Sequence, residues 1–205
     1  MVSDTLRMNV DEKRVARWIT DAVVRRPVLW RLLRGRMRAM FERIAPTWEA
    51  RIGPHHLGAL RQAVATLEPP ARVLDVGTGT GVAALALADW FPAAEVVGVD
   101  LSPAMLAEAE SKGGRVRFEV ADASRLPFAD ASFDLVVLMN AVPFFDELAR
   151  VTATGGTIAF SFSRGAETPI YVPTERLRHE LATRGFSDFE DFSADPATAF
   201  RALKR

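Results

Sequence analysis

Val73-Leu74-Asp75-Val76-Gly77-Thr78-Gly79-Thr80-Gly81 reads as an apolar, buried strand that runs into a glycine-rich turn and then into a helix. Glycines at alternate positions let the chain turn tightly and leave bare backbone where a ligand can lie without meeting a Cβ. The first turn of the helix that follows offers N–H groups, which favour an anionic group such as a carboxylate or a phosphate. A dinucleotide fingerprint, Gly-x-Gly-x-x-Gly, would need its third glycine where Val82 stands. A phosphate-binding P-loop would need Gly-Lys-Ser or Gly-Lys-Thr, and neither follows.

Further along, Val96-Val97-Gly98-Val99-Asp100 is a second apolar strand, ending in a carboxylate 19 residues after Gly81. An acid at that place in such folds can accept both hydroxyls of a ribose, which points to a nucleoside ligand. Phe118-Glu119-Val120-Ala121-Asp122-Ala123 repeats the pattern and brings a third acid to the same sheet edge. Asp75, Asp100 and Asp122 thus converge on one rim, which suits a cationic ligand better than a pyrophosphate. A strand-terminal aspartate such as Asp122 can also simply cap the next turn.

Strands alternating with helices from Ala71 onward predict a parallel sheet with crossover helices. The strands are expected at residues 72–76, 95–99, 115–120, 133–139 and 157–163, and the helices near 82–90, 103–111, 144–152 and 174–184. Two more β-rich stretches, 186–192 and 198–204, predict a terminal antiparallel pair. The expected fold is therefore α/β, a doubly wound, mostly parallel seven-stranded sheet. Before it, residues 1–70 read as a helical cap. Val15, Trp18, Ile19, Ala22 and Val23 form one amphipathic stripe, and Leu29, Leu32, Leu33, Met37, Met40, Phe41 and Ile44 form a second after Pro27. A third helix is expected from about His56 to Leu67. The division is a cap over 1–70 and a ligand-binding catalytic domain over 71–205.

The chain has 205 residues and no cysteine, so disulfides, thiol nucleophiles, thiolate zinc sites and iron–sulfur clusters are excluded. Its longest apolar run, Leu135 to Phe145, contains Asn140 and Pro143 and is shorter than the roughly 20 residues of a spanning helix. No secretory signal is evident, and the expected location is cytoplasmic. The formal net charge of zero hides an asymmetry: residues 1–70 hold 13 basic and 7 acidic side chains, net +6, and residues 71–205 hold 13 and 19, net −6. Eight arginines lie between Arg25 and Arg51. They either form a solvated helix face, the preferred reading, or attract an anionic substrate, a nucleic acid or a membrane surface.

At these motifs the sequence resembles the class I S-adenosylmethionine-dependent methyltransferases, in particular the small-molecule branch that includes the ubiquinone and menaquinone biosynthesis enzymes. The resemblance covers residues 71–163. It implies a Rossmann-like methyltransferase fold and S-adenosylmethionine as methyl donor, with no metal. It implies that Asp75 approaches the methionine amino group, that Gly77, Thr78, Gly79 and Gly81 underlie the methionine and ribose, and that Asp100 holds the ribose hydroxyls. Leu101 would pack on the adenine, Asp122 and Ala123 would read its edge, and Asn140 would complete the donor set. Phe133-Asp134-Leu135-Val136-Val137 matches the family's fourth strand and Gly155-Gly156-Thr157 the turn into the fifth. One departure stands out: where the family often has histidine after the fourth strand, this chain has Asn140-Ala141-Val142-Pro143-Phe144-Phe145.

No catalytic base is evident, and His55, His56 and Tyr171 are the candidates. A sulfonium methyl is already activated, so none is obligatory. The expected partner is a small, partly apolar acceptor, held by the N-terminal helices, the loop 140–145 and the segment 163–171. The oligomeric state is open, a homodimer included. The competing readings are a non-catalytic protein that uses the nucleoside pocket for regulation and, less favoured, a nucleic-acid methyltransferase.

Overall fold

The structure is a computed structural model and describes residues 10–48 and 56–205, with the side chains of 10–12 set aside. Seven strands form one sheet: β1 Arg72–Val76, β2 Glu95–Asp100, β3 Arg117–Val120, β4 Phe133–Met139, β5 Thr152–Phe162, β6 Phe186–Ala194 and β7 Ala197–Lys204. Their order across the sheet is β3-β2-β1-β4-β5-β7-β6. The first five run parallel, and β7 pairs antiparallel with both β5 and β6. This is the expected doubly wound sheet with its terminal antiparallel pair. Strands β1 and β4 are almost wholly buried and correspondingly apolar, as parallel strands covered on both faces must be.

Among the described residues seven α-helices surround it: α1 Val10–Arg25, α2 Trp30–Ile44, α3 Gly58–Val64, α4 Val82–Trp90, α5 Pro103–Ser111, α6 Phe145–Val151 and α7 Thr174–Ala182. The strands are linked through helices α4 and α5, so the order reverses between β1 and β4. That reversal opens a crevice at the carboxyl ends of the strands. Pro103 starts α5, whose N-cap Ser102 Oγ accepts a hydrogen bond from Met105 N at 3.3 Å.

Helix α3 lies on the sheet, with Leu60 and Val64 packed in the core around Val73, Leu87 and Val137. Ala59 and Ala63 meet Ala197 and Ala199 of β7. Helix α2 stands over the crevice, and α1 packs against it. Ile19, Val23, Trp30, Leu33, Met37 and Met40 share a buried core with Val142, Phe144 and Ile170. Pro27 breaks the two helices apart, as expected from a residue without an N–H to donate. Arg17 secures α1 by donating to the carbonyls of Ala166 and Thr168, both at 2.7 Å.

Two strand starts differ from expectation by two residues or more. Strand β5 begins at Thr152, not residue 157, because Thr152 pairs with Phe133 across a register shift. Gly155-Gly156 is therefore an irregularity within the ladder instead of a turn before it. Strand β3 starts at Arg117, while Arg115 donates to the carbonyls of Pro92 and Ala88.

Candidate active site

A cavity lies over the carboxyl ends of β1, β2 and β4 and encloses about 910 Å³, its open mouth included. Val76, Gly77, Thr78, Gly79 and Thr80 form its floor, and Asp100, Leu101 and Ser102 one side. Ala121 and Ala123 follow β3, Met139 ends β4, and residues 140–142 with Phe144 follow it. The cap supplies Trp30, Met37, Arg38, Phe41 and Trp48, and Ile170 closes the far wall. All three segments expected to face the acceptor thus reach one cavity.

The glycine loop is shaped from beneath. Gly77 has φ +70°, and a Cβ there would come within 2.6 Å of the Ala141 Cβ. Only glycine reconciles that conformation with the close approach of the loop after β4. Gly81, also left-handed at φ +77°, caps α4, and a Cβ on it would strike Phe118 at 2.8 Å. The loop amides turn inward: Gly77 N and Thr78 N both donate to Val99 O, at 2.8 and 2.9 Å. Gly79 differs, for a Cβ there would meet only Trp48 Nε1, at 3.7 Å.

The three acids meet three fates. Asp100 lines the cavity; its Oδ2 accepts from Gly79 N at 2.9 Å and its Oδ1 from Ser102 N at 2.8 Å. Burial raises its pKa while these backbone bonds oppose the rise. Asp75 is fully buried and does not line the cavity. Its Oδ2 accepts from Thr78 Oγ1 at 2.7 Å, and its Oδ1 has no donor among the described residues. Burial, reinforced by the nearby Asp100 charge, pushes it up to about 7, against the Thr78 bond and a weaker influence of the Ala84 N–H.

Asp122 also lies outside the cavity wall, held by the cap. Its Oδ1 accepts from Trp30 Nε1 at 2.8 Å and from Ser124 N and Oγ, and its Oδ2 pairs with Arg34 at 3.0 Å. Burial works to raise this carboxyl, but the Ser124, Trp30 and Arg34 bonds outweigh it and hold the pKa below the ordinary value. Trp30 also meets Phe144 edge to face, with ring centroids 5.3 Å apart.

Asn140 takes a left-handed conformation, φ +54°, uncommon outside glycine and tolerated by asparagine. Its side chain is clamped to the end of β5: Nδ2 donates to Ser163 Oγ at 3.0 Å and Oδ1 accepts from Ser163 N at 2.9 Å. These bonds turn the loop after β4 over the glycines. Sequence reasoning did not single out Thr80, whose buried Oγ1 makes no hydrogen bond among the described residues and which lines the cavity. A buried hydroxyl without a partner calls for an explanation in a native fold, and its place in the glycine motif was the available signal.

The base candidates fall elsewhere. His55 lies outside the described residues. His56 sits in the turn before α3 and does not line the cavity. Tyr171 packs on Phe162 with centroids 4.9 Å apart, under the Arg17 guanidinium, and its neighbour Ile170 reaches the cavity instead. The residues suit a donor that is a nucleoside with a polar tail: a fixed carboxylate at Asp100, an unpaired hydroxyl at Thr80 and small residues between them.

Comparison with known proteins agrees with this geometry. Residues 73–156 match the family described as a methyltransferase domain. The chain is 42% identical over 136 residues to a demethylmenaquinone methyltransferase of Thermus thermophilus, covering 58% of this chain and 62% of that protein. It is 35% identical over 158 residues to a malonyl-[acyl-carrier protein] O-methyltransferase of Geobacter sulfurreducens, covering 62% and 59%. The chain thus spans about three fifths of the length of these relatives. A solved S-adenosylmethionine-dependent methyltransferase of Thermotoga maritima superposes with a TM-score of 0.63 at 20% identity, covering 82% of this chain and all of that one, a likeness of fold. Residues 73–156 are thus similar to a methyltransferase domain, in sequence to these relatives and in fold to the solved enzyme.

Proposed function

We propose that this protein transfers the methyl group of S-adenosylmethionine to a small, partly apolar acceptor. The observation that carries the reading is the Asp100 carboxylate, held by the Gly79 and Ser102 amides beside an open glycine floor and beneath an apolar cap. In its bound form the donor supplies an electrophilic methyl. Asp100 would take the ribose hydroxyls, with Leu101 and Ala123 against the adenine and Thr80 within the polar set for the methionine end. Asp75 would act one layer down, by fixing Thr78 in the floor. Asp122 would act chiefly by docking α2 at the adenine side.

The acceptor would enter under Met37, Phe41, Trp48, Phe144 and Ile170, a largely apolar wall. Such a wall excludes water and holds donor and nucleophile in line at roughly 3 to 3.5 Å, where placement alone accounts for much of the rate. Among the described residues lining the cavity there is no histidine, tyrosine or glutamate, and Asp100 is the one carboxylate. This favours an acceptor whose nucleophile arrives already ionised or as a free amine. Methylation of demethylmenaquinone, the activity in the name of the Thermus relative, fits such a wall. The domain division, with residues 1–70 as the specificity element, belongs to the same reading.

Calorimetric titration of S-adenosylhomocysteine into the wild type and Asp100→Ala tests the donor site. The variant should bind at least about tenfold more weakly, the equivalent of one lost charged hydrogen-bond partner. Unchanged affinity would remove the ribose assignment. Turnover of methyl-labelled donor with quinol, phenol, amine and carboxylate acceptors tests the reaction. Tight donor binding without turnover on any of these would favour the regulatory reading.

A further inference from the structure

A second cleft runs along the other side of Trp30 and Phe144, the two rings that also wall the donor cavity. Six arginines line it: Arg25 at the end of α1, Arg31 and Arg34 on α2, Arg125 after β3, and Arg176 and Arg184 on and after α7. Four carboxylates line it too, and each already has a guanidinium. Asp122 pairs with Arg34 at 3.0 Å, Asp146 with Arg184 at 2.7 Å, and Glu147 with Arg150 at 2.7 Å. Glu180 pairs with Arg176 at 2.6 Å and with Arg184 at 2.8 Å.

These pairs cancel, and what remains is positive. Arg25, Arg31 and Arg125 make no ion pair or side-chain hydrogen bond among the described residues, and the buried Nε of Arg176 has no acceptor. Three unmatched guanidinium groups from three separate elements therefore face one space. All three are exposed to solvent, which screens their mutual repulsion; together they raise the positive potential of the cleft and favour a ligand carrying at least two negative charges. Guanidinium forks match phosphate oxygens in pairs. Pro27, Val28, Phe144 and Phe145 add apolar surface to the same cleft.

We propose that this cleft is a second binding site, which takes the phosphate group of an amphiphilic ligand on Arg25, Arg31 and Arg125 and its apolar part against Val28 and Phe144. The site is separate from the donor cavity and does not depend on the methyl-transfer reading. A soluble phosphate monoester and a phospholipid headgroup present the same chemistry, so the experiment has two arms. Inorganic pyrophosphate and decyl phosphate are titrated calorimetrically into the intact protein at low salt, and co-sedimentation is measured with phosphatidylglycerol vesicles against phosphatidylcholine vesicles. Each is repeated with Arg31→Ala, Arg125→Ala and, as a control outside the cleft, Arg61→Ala on α3. Thermal unfolding midpoints verify that each variant is folded.

Arg31→Ala and Arg125→Ala should each weaken binding by about tenfold, the loss of one charge-assisted contact, and Arg61→Ala should leave it unchanged. The affinity should fall with added salt. This pattern in the pyrophosphate and decyl phosphate arm assigns the site to a soluble phosphate. The same pattern confined to anionic vesicles assigns it to a lipid headgroup. No binding in either arm, or an equal loss in Arg61→Ala, overturns the proposal. Loss of S-adenosylhomocysteine binding in the wild type would instead count against the donor site alone.

Discussion

Replacing Asp75 by asparagine should make the protein more stable, and increasingly so as the pH rises. Asp75 is fully buried, with one accepted side-chain hydrogen bond, and its carboxyl is pushed from the ordinary 3.8 up to about 7. Between those values the folded state holds a proton that the unfolded state releases. Stability contributed by this group therefore falls as pH rises from about 4 to 7 and stays low above 7. At about 1.36 kcal/mol per pH unit, the burden is roughly 2 kcal/mol at pH 5 and roughly 4 kcal/mol at pH 8. Asparagine keeps an oxygen for Thr78 Oγ1 but carries no charge, so its advantage over aspartate should widen by roughly 2 to 3 kcal/mol between pH 5 and pH 8. Any packing difference between the two side chains is the same at both pH values and drops out. Urea unfolding of both proteins at the two pH values measures the change directly, and thermal unfolding should show it as a relative rise of about 5 to 10 °C. A gap that stays constant with pH would refute the reasoning and mean that Asp75 is ionised in the folded protein.

Gly77→Ala should cost about 2 to 4 kcal/mol, since it combines a left-handed conformation with a 2.6 Å approach to Ala141. Adding Ala141→Gly should recover the steric part and leave the conformational part, an interaction that a double-mutant cycle of unfolding free energies would reveal; strictly additive losses would count against the contact. Asn140→Ala should cost about 2 to 3 kcal/mol by removing both bonds to Ser163 and placing alanine at φ +54°. Asn140→Gly should cost less, and the order of the two in chemical unfolding tests the strain. Trp30→Phe keeps a ring against Phe144 and deletes the donor to Asp122, and about 1 kcal/mol should be lost. S-adenosylhomocysteine affinity should fall with it if the docking of α2 shapes the adenine side, and an unchanged titration would separate the cap from donor binding.

Local pattern carried the core of the fold. Strand β1, the glycine turn and α4 fall at the positions read from Val73 to Trp90. An apolar run that must be buried on both faces, glycines at the required turn and a helix-forming stretch are all decided by neighbours in the chain. Helix α5 was equally legible, since Ser102 and Pro103 mark its start. The limits that moved depend on partners: Thr152 joins β5 because Phe133 lies beside it, 19 positions earlier. The sequence by itself also determined that three acids end three adjacent strands.

Which acid faces the cavity was decided by tertiary structure alone. Asp75 is sealed under its own loop, Asp100 is aimed by two backbone amides, and Asp122 is captured by Trp30, 92 positions away. A strand-end pattern is the same in all three cases, because it records where the backbone arrives and not what packs over the side chain. The same holds for Ile170 reaching the wall in place of Tyr171, and for arginines from α1, α2 and the turn after β3 meeting in one cleft. Composition showed that the first 70 residues are basic. Only the packing of α1 and α2 against the sheet edge decided which of those charges are matched by carboxylates and which are left to meet a ligand, since pairing depends on distances between segments far apart in the chain.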